Sequence, residues 1–158
     1  MIILNDFSTS VKKALTEIDS DYDQYEGLVI CGTHTPHDTE AFLSAIKHAR
    51  ENNIPYLGIC FGHQLAFIEY ARNVLGIKDA TSEEFGEGTP VVVKRNELKI
   101  GLHKGESWWN HYEIPKELED TWEKPKNFIT CQFHPEYQSS KQKPHPLLVE
   151  FLELCRLE

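Results

Sequence analysis

The chain has 158 residues, enough for one domain with a full core, and its 40% hydrophobic and 26% charged content is that of an ordinary globular protein. A formal net charge of −9 without any clustered Lys and Arg run excludes a nucleic-acid groove, and no apolar run approaches the ~20 residues of a membrane-spanning helix. Met1 to Asp6 carry neither the basic nor the apolar region of an export signal, and the four cysteines lack a CxxC spacing; the expectation is a cytoplasmic protein of one domain, residues 1–158, with reduced thiols.

Strand-like and helix-like patterns then alternate, which predicts α/β layering. Leu28-Val29-Ile30-Cys31 is short, β-branched and continuously apolar, as a buried parallel strand is. A polar loop follows, Gly32 to Asp38. Its His34 and His37 read as loop polarity, since no further ligands stand at a metal-site spacing, and no metal is expected. Phe42, Ile46 and Ala49 recur at helical spacing with a charged opposite face, and Asn52-Asn53 closes that helix. Pro55 to Ile59 reads as the next buried strand. From Gly62 the pattern is helical again, with Leu65, Ile68, Arg72 and Leu75 on one face and Gly76 as a C-terminal cap. Residues 80–127 are less regular; Val91-Val92-Val93 and Leu98-Lys99-Ile100 are expected to pair as a small antiparallel unit, and Trp108-Trp109 as core or cover. Phe128 to Phe133 is a strand, and Pro146 to Leu157 a helix with proline at its start. The expected fold is a doubly wound α/β domain with an open, mostly parallel sheet, whose site lies at the strand ends.

The segment Gly58-Ile59-Cys60-Phe61-Gly62 sits between a buried strand and a helix. A reactive side chain flanked by glycines two residues away in that setting has the pattern of a nucleophile elbow. The turn is tight, so Gly58 and Gly62 are needed where side chains would clash across it. The sulfur of Cys60 then stands at a helix N-terminus, whose partial positive charge favours an anion. A cysteine nucleophile needs a base and a group to orient that base. His134-Pro135-Glu136, straight after a predicted strand, supplies both: His134 to take the thiol proton, Glu136 to hold the imidazole tautomer, and Pro135 to stiffen the spacing.

Residues 45–85 resemble the class I glutamine amidotransferases, and among them the glutaminase domain of CTP synthase, through Ala49-Arg50-Glu51-Asn52-Asn53-Ile54-Pro55-Tyr56-Leu57-Gly58-Ile59-Cys60 and Glu69-Tyr70-Ala71-Arg72-Asn73-Val74-Leu75-Gly76. Phe133-His134-Pro135-Glu136-Tyr137 and Lys143-Pro144-His145-Pro146-Leu147 are similar to that domain's last strand and helix. The resemblance implies a flavodoxin-like fold and a Cys60–His134–Glu136 triad that cleaves a γ-glutamyl amide through a thioester, without a cofactor. It further implies an oxyanion hole from the Phe61 amide with Gly32-Thr33, and substrate contacts from Gln64 and Glu84. Two departures stand out. The family's loop carries glycines where this chain has Thr33, and His111 stands where an arginine would help hold the glutamine carboxylate.

Three functions fit these residues. One is a glutaminase that passes ammonia to a separate synthase subunit; the second is a stand-alone hydrolase of another small γ-glutamyl amide. The third is an inactive homologue that binds or regulates a partner, kept open by the altered Gly32-Thr33 loop.

Overall fold

A computed structural model describes residues 1–157. Its main sheet holds four parallel strands in the order β1 (Ile2–Leu4), β2 (Leu28–Ile30), β3 (Tyr56–Ile59) and β7 (Phe128–Cys131). The strands are short and apolar because both of their faces are covered. Leu28, Ile30, Tyr56 and Phe128 pack beneath α2 (Thr39–Glu51) and α3 (Phe61–Asn73). The alternate residues Val29, Leu57, Ile59, Ile129 and Cys131 face α1 (Ser8–Ile18) and α5 (Pro146–Arg156) on the other side. Helices on both faces of a parallel sheet make the domain doubly wound, as expected.

The helix beginning near Gly62 differs from its expected form. Its sequence predicts an amphipathic face, yet every residue from Phe61 to Ala71 is buried, because α3 lies between the main sheet, α2 and the second sheet. It ends at Asn73, so Leu75 falls outside it and is exposed. Gly76 takes φ +79°, the left-handed conformation its capping role requires. Glu69, buried on α3, is held by Arg50 of α2, whose Nε lies 2.9 and 3.0 Å from its two oxygens.

The irregular region forms a second sheet, in the order β4 (Ala80–Ser82), β5 (Thr89–His103) and β6 (Glu106–Glu113). The predicted pairing of Val91–Val93 with Leu98–Ile100 does not occur. Both belong to β5, a single long strand whose antiparallel partner is β6, with Ile100 opposite Trp109 and His103 opposite Glu106. The turn is Lys104-Gly105, both at positive φ (52° and 82°), which suits the twist of a two-residue hairpin. β6 thereby lies over the carboxyl end of the main sheet, and a bond from the His134 amide to the Ser107 carbonyl at 2.7 Å ties it there.

Candidate active site

Cys60 follows the last residue of β3 and caps α3 with φ 54° and ψ −101°, a conformation a side chain rarely adopts. The flanking glycines permit it for different reasons. A Cβ on Gly62 would sit 2.1 Å from the carbonyl oxygen of Ile30 in β2, and one on Gly58 would meet the backbone of Gly62 at 2.8 Å. Neither glycine has a positive φ; both are close approaches of backbone to backbone. The Cys60 amide is anchored to the Cys131 carbonyl at 2.8 Å, so the elbow is fastened to the strand that leads to His134.

His134 and Glu136 lie just past β7, buried to 1% and 5% exposure. The imidazole Nδ1–H donates to Glu136 Oε1 at 2.6 Å, a charge-assisted bond that fixes the tautomer. The ring is stacked on Tyr137, and Phe7 meets it edge-on. Gly32 is needed for room here, since a Cβ would fall 2.7 Å from His134 Cε1. Nε2 is buried without a hydrogen-bond partner among the described residues. Burial pulls the imidazole down, but its interactions with Cys60 and with Glu136 outweigh that and hold it at about 9.

Cys60 opens on a cavity of about 440 Å³, the size of a small-molecule site, which Thr33, Phe61, Gln64, Glu84 and His111 also line. Residues far apart in the chain thus meet around one sulfur. Phe61 is the first residue of α3, where helix amides lack internal partners. Thr33 has no positive φ; its hydroxyl donates to Asp6 Oδ2 at 2.7 Å and accepts from the Thr35 amide at 3.1 Å, so the loop is braced without glycine. Burial pushes the Glu84 carboxyl up to about 7. Gln64 Nε2 donates to the Tyr112 carbonyl and to Gln132 Oε1, both at 3.2 Å. His34 also lines the cavity, edge-on to Trp109, while His37 pairs with Asp38. Among the described residues no group of three or more His, Cys, Asp and Glu side chains is arranged to hold a metal ion.

Three contributors escape a reading of the motifs alone. The Trp109 carbonyl accepts from the Cys60 thiol at 3.8 Å, Gln132 Nε2 donates to Cys60 Sγ at 3.5 Å, and Asn110 lines the cavity with its side chain buried. The strand alternation of 106–113 is the available signal for Trp109 and Asn110. Trp109 itself is half-exposed at the cavity wall, whereas Trp108 lies under the Lys99 ammonium.

The family model of class-I glutamine amidotransferases matches residues 4–154, nearly the whole chain. The chain belongs to the class-I glutamine amidotransferase family. A CTP synthase of Methanoculleus marisnigri is 33% identical over 83% of this chain and 34% of its own length. One from Pelagibacter ubique is 30% identical over 93% of this chain and 38% of its own. The chain therefore spans about a third of the length of these relatives. Among solved structures, the glutaminase domain of Trypanosoma brucei CTPS with bound acivicin superposes with a TM-score of 0.71. That match has 25% identity and covers 98% of this chain and 77% of the other. The amidotransferase is thus a domain like the glutaminase domain of CTP synthase, with that fold. No helix among its described residues is long and apolar enough to cross a membrane.

Proposed function

We propose that this domain hydrolyses the side-chain amide of glutamine through a thioester on Cys60 and passes the ammonia to a separate synthase partner. The observation that carries this reading is a strained elbow cysteine at the wall of one small cavity, in interaction with a buried His134 that is bonded to Glu136. His134, held protonated by Cys60 and Glu136, carries the proton given up by the thiol while the sulfur attacks the amide carbon. The carbonyl electrons move to an oxyanion that the Phe61 amide and the Gly32-Thr33 loop stabilise. His134 returns the proton to nitrogen, the C–N bond breaks, and ammonia departs. Water, deprotonated by His134, then attacks the thioester; the S–C bond breaks, glutamate forms, and the sulfur recovers its proton. Gln64, Glu84 and His111 hold the amino-acid end of the substrate. The reaction is placed in the cytoplasm, and the relatives' greater length supports a synthase partner.

His111 favours a second reading, a stand-alone hydrolase of another γ-glutamyl amide, because an imidazole in place of an arginine gives up a bidentate grip on the α-carboxylate. Steady-state release of glutamate by the isolated protein tests both. We expect turnover on glutamine alone below about 1 s⁻¹, under the common range of working enzymes, and a further loss of ~10²–10⁴-fold in His134→Ala. Equal activity in His134→Ala and wild type would remove His134 from the mechanism. Glutamate released from no γ-glutamyl amide, with or without a synthase, would leave the domain a binding protein.

A further inference from the structure

Across β6 from the Cys60 cavity lies a second one of about 570 Å³, and Asn110 lines both. Asn110 is 1% exposed, yet neither its amide nitrogen nor its amide oxygen has a partner among the described residues. Leaving a buried donor and acceptor unmade is costly in a folded protein, so such a group marks a place where a ligand completes the bonding. Gln132 forms another part of the second cavity and reaches Cys60 Sγ at 3.5 Å. One side chain therefore separates this space from the reacting sulfur.

The remaining lining has a definite chemistry. Lys124 forms no ion pair among the described residues; its ammonium donates to Thr130 Oγ1 at 2.9 Å, and Thr130 also meets His63 Nδ1 at 3.0 Å. Burial lowers the Lys124 ammonium from its ordinary value, against the smaller opposing effects of Cys131, Glu119 and Glu150. Glu113, the other carboxylate of the cavity, is taken by Arg95. An ammonium without an ion pair, a hydroxyl, a buried amide donor and the Trp108 indole thus line one open cavity, with the Glu119 carboxylate also at its wall. Such donors are suited to an oxyanion.

We propose that this second cavity binds a small oxyanion-bearing group, carboxylate or phosphate, with Lys124 and Asn110 as its donors, and that the group is carried on the nitrogen of the amide being cleaved. The second half of this statement rests on the second reading above, the stand-alone hydrolase, and makes the preferred substrate an N-substituted γ-glutamyl amide with an anionic substituent, which releases an amine in place of ammonia.

Two measurements on the full chain separate the parts. The first compares kcat/KM for γ-glutamylglycine, γ-glutamyl methylamide and glutamine in wild type, Lys124→Gln and Lys124→Arg. The second follows tryptophan fluorescence in the same three proteins during titration with inorganic phosphate, since Trp108 lines the cavity and the Trp122 ring lies 5.3 Å from the Lys124 ammonium. We expect the anionic amide to be preferred over the methylamide by about tenfold or more, the worth of one charge-assisted hydrogen bond. Lys124→Gln abolishes that preference and Lys124→Arg retains it. Absence of the preference, with saturable phosphate binding lost in Lys124→Gln, upholds the oxyanion site and assigns its ligand to a free anion. Absence of both effects overturns the proposal. Hydrolysis of none of the three amides overturns the hydrolase reading and the substrate half with it, while the phosphate titration still decides the site.

Discussion

Glu136→Gln isolates the electrostatics of the buried pair, because the amide oxygen can still accept from His134 Nδ1 while the charge is gone. In the wild type the fold holds His134 at about 9 against an ordinary value of 6.5. A base whose folded value is raised contributes stability that is complete below pH 6.5 and is lost as the pH rises through about 9. That gap corresponds to about 3 kcal/mol. Without the carboxylate only Cys60 opposes the effect of burial, so the part of the contribution that Glu136 supplies disappears. The substitution also leaves a buried amide donor beside the ring, a cost that does not vary with pH. Urea unfolding of both proteins at pH 6, 7.5, 9 and 10, read by tryptophan fluorescence, yields the difference in stability at each pH. The difference is expected to shrink between pH 6 and 10 by at most about 3 kcal/mol, since Cys60 supplies part of the gap in both proteins. Glu84 titrates in both proteins and cancels. A difference that is constant with pH would refute the claim that the Glu136 charge holds His134 protonated.

Cys60 should be the first thiol alkylated at neutral pH by a glutamine-like electrophile, since burial drives Cys31 and Cys131 upward and keeps them inert; peptide mass spectrometry after limited labelling checks this, and earlier modification of another cysteine would contradict it. Gly62→Ala, whose Cβ meets the Ile30 carbonyl at 2.1 Å, must displace α3 from β2. It should cost ~1–3 kcal/mol or more in denaturant unfolding and abolish labelling of Cys60; a native-like variant would remove the close-packing role of Gly62. With Glu84 at about 7, the carboxylate proposed above to hold the substrate's amino-acid end is gained as pH rises. The kcat/KM for the γ-glutamyl substrate should therefore climb through pH 7 in the wild type and lose that limb in Glu84→Gln.

The parts of the site that can be read from sequence are those whose chemistry is local. Gly58 to Gly62 announces a sharp strand-to-helix turn by its two glycines, and His134-Pro135-Glu136 compresses the bonded imidazole and carboxylate into three residues. The strands β2, β3 and β7 are legible because burial on both faces leaves an unbroken apolar run. β1 and α1 are not. β1 is three residues long, and α1 starts at Ser8 after Phe7, without a side-chain cap or an acidic first turn, so neither element carries a starting signal. The hairpin is placed wrongly by the sequence pattern because Lys104-Gly105 is a weaker turn signal than Asn-Gly, and because Arg95-Asn96-Glu97 looks like a break within β5. Asn110 lies beyond motif reading altogether: its importance comes from what fails to contact it in the folded chain.

The pairing of β3 with β7, Ile59 beside Cys131, has a consequence for the timing of reactivity. Gln132, which contacts the sulfur, stands 72 residues from Cys60 along the chain, so this contact closes a long loop and belongs among the slow, non-local steps of folding. On the ribosome the cysteine emerges well before its base. Until β7 docks, Cys60 has no imidazole to take its proton and no strained backbone to lift it from the surrounding chain. A nascent or partly unfolded molecule therefore lacks the assembled Cys60–His134 pair, which forms only with the completed sheet.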